Sequence, residues 1–260
     1  VGPLELGVVY LAAAAEARVG GDLYEVARTQ FGIRLIVGDV RGKGLDAVEI
    51  AADVLGVFRE VAHEVYTLAE VARRLDASLA RRPDAPLEEF VTAVLAEIDP
   101  AAGIVNIYNC GHPPPIVLTP GSGGGATGDE GEDGQNVGAL PQVTTVEVLS
   151  PALPLRLMSL GDCSGAGRTM LLQPGAALLL YTDGVTEARD SRREFYPLAE
   201  RVTELAAVAD GSPADLLARL RDDLLRYVGA PLDDDAALLL VRAPGAWDGR
   251  VRRLAEAAAR

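Results

Sequence analysis

Apolar residues along this chain repeat with two distinct periods. Between residues 45 and 65, Val48, Ala51, Leu55, Phe58 and Ala62 recur every three or four positions, the stripe of an amphipathic helix. The run TLAEVARRLDASLARR (67–82) repeats the pattern with Leu68, Val71, Leu75 and Leu79. Thr67 with Glu70 three residues on forms a capping box that predicts where this second helix starts. Two more helices are predicted at 197–209 and 213–228, the latter with Ser212 as cap and Pro213 at its first helical position. Between the helices lie short, nearly continuous apolar runs: DLYEVART, IRLIVGDV, FVTAVLAEID, GIVNIYN, PIVL, RTMLL, AALLLYT and AALLLVR. Each predicts a strand, the first two turning at Gln30 and Phe31 and the next pair at PAAG.

Several of these strands are apolar on both faces, so the sheets they form must be covered on both sides. Strands in clusters, with two separate helix pairs, point to an α+β fold and not to regular β-α-β alternation. The arrangement that satisfies both is a four-layer α-β-β-α sandwich, two mostly antiparallel sheets with a helix pair on each outside. One stretch breaks the pattern. Residues 120–142, PGSGGGATGDEGEDGQNVGALPQ, hold glycine, acids and almost no large apolar side chains, which predicts a flexible surface insertion. The expected map is one domain over 1–243, then a tail over 244–260 in which DGRVRRLAEAAAR can form a short helix.

Charge narrows the partners. A formal net charge of −14 argues against nucleic acid and anionic membrane surfaces. No apolar run approaches the ~20 residues of a membrane span. Cys110 and Cys163 have no metal-ligand company, which suits a reduced, cytoplasmic setting for this segment. The full-length protein can still carry a sensory or membrane region.

The chemistry concentrates in GDVRGKGLDA (38–47). Its glycines and Lys43 suggest a phosphate-cradling loop, but Gly38 and Gly42 are one residue too close for a P-loop, and Gly44 stands where Ser or Thr should hold magnesium. What remains is Asp39 ending an apolar strand. Asp183 likewise follows AALLLYT, and Asp233, Asp234 and Asp235 precede AALLLVR. If that last strand runs antiparallel to the others, all these carboxylates reach one edge. A hairpin turning between Gln30 and Phe31 also sets Asp22 opposite Asp39, and like charges directly opposed destabilise a sheet. Something positive belongs between them. Each aspartate alone reads as an ordinary turn former. Together, oxygen ligands from several strands select a hard cation: magnesium, manganese or calcium.

Six stretches, GGDLYEV, GDVRGKGLDA, FVTAVLAEID, NCGHPPPIVL, LLLYTDGVTEARD and DDDAALLLVR, also resemble the metal-dependent protein phosphatases of the PPM, or type 2C, family, in its SpoIIE-like bacterial branch. The match runs in the family's order over roughly residues 10–243. The resemblance implies the four-layer sandwich and two Mn2+ or Mg2+ ions at one end of the sheets. It implies Asp22 as a second-metal ligand, Asp39 as the carboxylate bridging both ions, Val40 as a ligand through its backbone carbonyl, and Asp183 and Asp234 as first-metal ligands. Whether Asp234 or Asp235 is the ligand stays open, as does the role of Asp233. Catalysis would run through Asp39 and Asp183 by way of a metal-activated water attacking phosphorus directly.

By the same resemblance the substrate is a phosphoserine or phosphothreonine on a partner protein, an anti-anti-sigma STAS-domain protein in a bacterial partner-switching pathway. A homodimer is compatible with the chain. Two residues stand as accessory candidates: Lys43, which can meet phosphate or a partner, and His112, a general acid or the shaper of a turn before a rigid proline run. His63, inside the first helix, reads as structural. The sequence departs from the family where a Pro-Leu-Gly turn is common: LPLRL places Arg156 at the glycine. Two other classes remain as alternatives, an inactive PPM-fold scaffold module and a two-metal small-molecule phosphohydrolase. Every metal acid is present, which weighs against the first, and aromatics are 5% of the chain, which weighs against a base-stacking pocket.

Overall fold

The computed structural model describes residues 2–13, 20–82, 89–121, 141–161, 163, 165–209 and 211–245. In chain order the elements are β1 (Glu5–Leu11), β2 (Asp22–Thr29), β3 (Gly32–Val40), α1 (Leu45–Glu64), α2 (Leu68–Ala80), β4 (Val91–Asp99), β5 (Ile104–Cys110), β6 (Ile116–Thr119) and β7 (Gln142–Thr145). Then follow β8 (Gly167–Leu171), β9 (Ala177–Tyr181), the single-turn α3 (Asp183–Thr186), α4 (Leu198–Ala206), α5 (Pro213–Val228) and β10 (Ala236–Arg242). The strands form two five-stranded sheets, ordered β1-β10-β9-β6-β7 and β2-β3-β4-β5-β8, with neighbouring strands antiparallel.

Strand alternation builds the layers. Leu35 and Val37 of β3 point between the sheets and meet Leu178, Leu180, Leu239 and Val241 of the other sheet. Ile36, between them in sequence, points the opposite way, into the layer that holds Phe58 of α1 and Val71 and Leu75 of α2. In the other sheet Leu179, Leu238 and Leu240 turn outward onto Val202 of α4 and Leu217, Leu220 and Leu224 of α5. A strand buried on both faces has no need of polar alternation, which is why these runs read as continuous apolar stretches. The result is the α-β-β-α sandwich.

One residue contradicts that reading locally. Arg34 sits within IRLIV with none of its surface exposed. Its guanidinium donates to the carbonyls of Ala62, in the last turn of α1, and of Val65 and Tyr66 just beyond it, and pairs with Glu97 on β4 at 2.6 Å. A helix leaves its last carbonyls without intrahelical partners, and a cation there also suits the helix dipole. Arg34 therefore ties the far end of α1 to the sheet.

The helix starts follow their caps. Thr67 accepts from the Glu70 amide at 3.2 Å, and Ser212 from the Asp215 amide at 3.1 Å. The return half of the expected capping box is spent elsewhere, because the Glu70 carboxylate binds Arg73 and Arg74. Two strands go beyond the expected set. β1 pairs along the whole of β10 and forms the sheet edge beneath α5. β7 begins at Gln142, which therefore belongs to a strand and not to the insertion expected over 120–142. Residues 122–140 of that stretch, and the helix expected at 248–260, lie outside the described residues. Packing continues past the last strand at least to Pro244, whose carbonyl accepts from Gly175.

Candidate metal centre

Register places the acids. In the β2–β3 hairpin Asp22 lies opposite Asp39, with the turn at the expected residues. β10 runs antiparallel to β9, pairing Leu238 with Tyr181, so the end of β9 and the start of β10 meet at one edge. Asp183 opens α3 there, and Asp233, Asp234 and Asp235 lead into β10. These two pairs of strands belong to different sheets, and Thr182 joins them. Its hydroxyl donates to Asp22 Oδ2 at 2.6 Å and accepts from the Ala237 amide at 2.8 Å.

The carboxylates feel one another. Burial pushes Asp22 well above the ordinary carboxylate range, and the charges of Asp39 and Asp235 push it further. Asp39 is raised by burial and then by Asp183 and Asp234. Asp183 is raised by burial, Glu187 and Asp234. Tyr10 of β1, whose hydroxyl accepts from the Gly20 amide at 2.9 Å, is pushed up to about 12 by burial and by Asp235, Asp22 and Asp39. Protonation or a cation would relieve this repulsion.

Asp234 and Asp235 differ in what they hold. Both oxygens of Asp235 are occupied by backbone, Oδ1 by the Ala13 amide and Oδ2 by the Gly21 amide. The Asp234 side chain is 61% exposed and accepts only the neighbouring Asp235 amide among the bonds described. The Asp233 carbonyl accepts from Lys43 Nζ at 3.0 Å, and the same ammonium stands 3.9 Å from Asp234 Oδ1. Lys43 thus lies at the exposed rim of the acidic edge.

A two-cation centre can be tested against this geometry. A Cβ built on Gly21 would stand 2.9 Å from the Val40 carbonyl oxygen and 3.3 Å from Asp39 Oδ1. Two hard oxygen donors therefore flank one spot that only glycine leaves open. All the donors are oxygens, as Mg2+ and Mn2+ prefer. No three His, Cys, Asp or Glu side chains among the described residues are placed to grip one ion. Mg2+ binds through as few as one or two carboxylates and keeps several waters, so the missing three-way grip does not exclude it. The residues fit the group.

The remaining candidates take other parts. His112 is 5% exposed, and both ring nitrogens are engaged, Nδ1 with Thr92 Oγ1 at 2.9 Å and Nε2 with the Tyr181 carbonyl at 3.0 Å. Burial pushes its pKa down to about 3. Gly42 and Gly44 adopt φ of 132° and 84° with open space where a Cβ would stand. Their part is to turn the chain into α1, and the close approach falls to Gly21. Arg156 takes φ of 81°, in the left-handed region where the family's glycine would sit without strain. Asp76 Oδ1 holds that turn by accepting the Arg156 amide at 2.6 Å and the Met158 amide at 3.1 Å. Thr182, Asp235 in its anchoring role, Gly21 and Tyr10 escape sequence reasoning. A threonine ending a strand or a tyrosine inside one carries no mark of what faces it.

The family model for Stage II sporulation protein E (SpoIIE) matches residues 29–244. The RsbU and RsbW domains of Rv1364c from Mycobacterium tuberculosis superpose with a TM-score of 0.69 at 25% identity, covering 93% of this chain and 60% of that one. The PP2C phosphatase domain of SpoIIE from Bacillus subtilis, solved with a fragment of its regulatory domain, gives 0.66 at 14% identity, covering 92% and 63%. The catalytic domain of the serine/threonine phosphatase PstP in complex with two manganese ions gives 0.58 at 13%, covering 93% and 99%. The chain thus spans under two thirds of the first two of these proteins. With the family match spanning β3 through β10, the chain belongs to the SpoIIE family of PPM, or type 2C, phosphatase domains.

Proposed function

We propose that this domain is a metal-dependent serine/threonine protein phosphatase acting on a phosphorylated partner protein. The observation that carries the reading is the meeting of Asp22 and Asp39 from one sheet with Asp183 and Asp234 from the other, beside the Val40 carbonyl. Asp22, Asp39, the Val40 carbonyl, Asp183 and Asp234 would hold two divalent cations, Mn2+ or Mg2+. When bound, such ions supply Lewis acidity that activates water and offsets charge on the phosphoryl group.

The chain's own residues prepare the edge. Thr182 fixes Asp22 by its hydroxyl, so the carboxylate keeps one orientation. Asp235 fastens Gly21 and Ala13, which keeps the approach to Val40 open. Of the two neighbours, Asp234 is the better ligand because its oxygens are not committed to distant backbone. Lys43 stands as a point charge 74% exposed beside Asp234, where an incoming phosphate would meet it. An edge with Lys43 and Asp234 this exposed suits a phosphorylated side chain on a protein better than an enclosed small molecule.

The similarity to RsbU-type and SpoIIE domains supports a phosphorylated STAS-domain protein as substrate. The test is Mn2+-dependent phosphate release from phosphoserine STAS proteins, compared with p-nitrophenyl phosphate and with Asp39→Asn. Release that ignores Mn2+, or survives Asp39→Asn, refutes the reading.

A further inference from the structure

We propose that His112 is a positioning residue, a neutral imidazole that bridges the two sheets and sets the spacing between the aspartates each sheet contributes. The inference rests on the phosphatase reading of the aspartate edge. Its observations lie outside the ligand set.

The bridge has a defined polarity. The Tyr181 carbonyl can only accept, so Nε2 carries the ring proton and donates to it at 3.0 Å. Full burial keeps the ring neutral, so Nδ1 is the acceptor and Thr92 Oγ1 donates to it at 2.9 Å. Thr92 belongs to β4, and its register partner on β3 is Asp39. Tyr181 ends β9, and two residues later comes Asp183. One ring therefore connects the residue paired with Asp39 to the strand end that presents Asp183 and Thr182.

The ring is itself held from behind. Asn109 Oδ1 accepts the His112 amide, and Asn109 Nδ2 donates to the His112 carbonyl, each at 2.8 Å. Between them Gly111 adopts φ of 68°, and a Cβ there would stand 3.0 Å from Pro154. Asn109, His112 and Thr182 are buried polar side chains in a mainly apolar sandwich. Apolar contacts between sheets can slide by fractions of an ångström, whereas two hydrogen bonds to one rigid ring fix distance and direction. Groups that orient metal ligands from behind typically change metal affinity 10- to 100-fold when removed.

The experiment is a calorimetric Mn2+ titration of the metal-free protein, with His112→Phe, His112→Gln, Thr92→Val and the control Val241→Ala. Val241 packs between the sheets toward the far end of β10, away from the aspartates. The expected result is a dissociation constant raised at least 10-fold in His112→Phe and several-fold in Thr92→Val. His112→Gln, which keeps a donor for Tyr181, should recover most of the loss. Val241→Ala should lower the melting temperature and leave affinity unchanged. Wild-type affinity in His112→Phe, or an equal loss in Val241→Ala, overturns the inference alone. If His112→Phe does not fold, Thr92→Val decides, and unchanged affinity there overturns it. A wild-type chain that binds no Mn2+ overturns the phosphatase reading and this inference together.

Discussion

Thr182 and Asp22 stand 160 residues apart in sequence and share a buried hydrogen bond of 2.6 Å between the two sheets. Thr182→Val keeps shape and removes the donor, leaving Asp22 free to rotate and the Ala237 amide without its acceptor. Mn2+ affinity should fall about 10- to 100-fold, and Thr182→Ser should retain most of it. Calorimetry on the three proteins checks this, and equal affinities would remove Thr182 from the site.

Asp39→Asn and Asp183→Asn should each nearly abolish phosphatase activity while the far-ultraviolet circular dichroism stays unchanged. Asp39 lies near the end of β3 and Asp183 just past the end of β9, so the fold does not depend on their charge. Near-normal turnover in both across a Mn2+ titration would sink the assignment.

Mn2+ should raise the melting temperature. Crowded carboxylates destabilise the metal-free native state, and a cation that binds only the folded form adds roughly 2.7 kcal/mol at a concentration ~100 times its dissociation constant. For a domain near this size that corresponds to about 5–10 °C. Asp39→Asn should reduce the shift. A melting curve indifferent to saturating Mn2+ would show that the acids do not form a site.

Arg34→Met should destabilise the fold by roughly 3–5 kcal/mol, because it strands Glu97 and three backbone carbonyls near the end of α1. Adding Glu97→Leu should recover only part, since the carbonyls stay unpaired. Urea unfolding of the single and double variants measures both; a full recovery would mean that the carbonyls contribute nothing.

His112 also predicts an acid-side effect. Its folded pKa is depressed to about 3, so the unfolded chain binds a proton that the native state refuses. This contribution to stability is complete well above the unfolded value of ~6.5 and is lost as pH falls below it, by roughly 2 kcal/mol at pH 5. The stability advantage of wild type over His112→Gln should therefore shrink from pH 8 to pH 5. An advantage that does not change with pH would mean that the ring is solvated.

Much of this molecule is written locally. The stripes at Val48, Leu55 and Phe58 and at Leu68, Val71 and Leu75 specify helices, because helical periodicity is a property of neighbours three and four residues apart. The Asp22–Asp39 pairing is legible for the same reason: a hairpin with a known turn fixes every register partner by counting. That Arg156 stands where the family commonly has glycine is also a matter of local pattern, whereas its left-handed backbone is read only from the structure. β1 and β7 were not legible, because an edge strand is defined by the strand it pairs with, and β10 lies more than 200 residues beyond β1. Short-range sterics and hydrogen bonding set α1, α2, α4, α5, the hairpins and the acids near the strand ends, which is why these can be read along the chain. Packing in three dimensions settles that Thr182 grips Asp22, that Asp235 anchors Gly21 while Asp234 meets its neighbour's amide and Lys43, and that His112 bridges the sheets. Each of those bonds joins side chains or backbone that come together only when one sheet is stacked on the other.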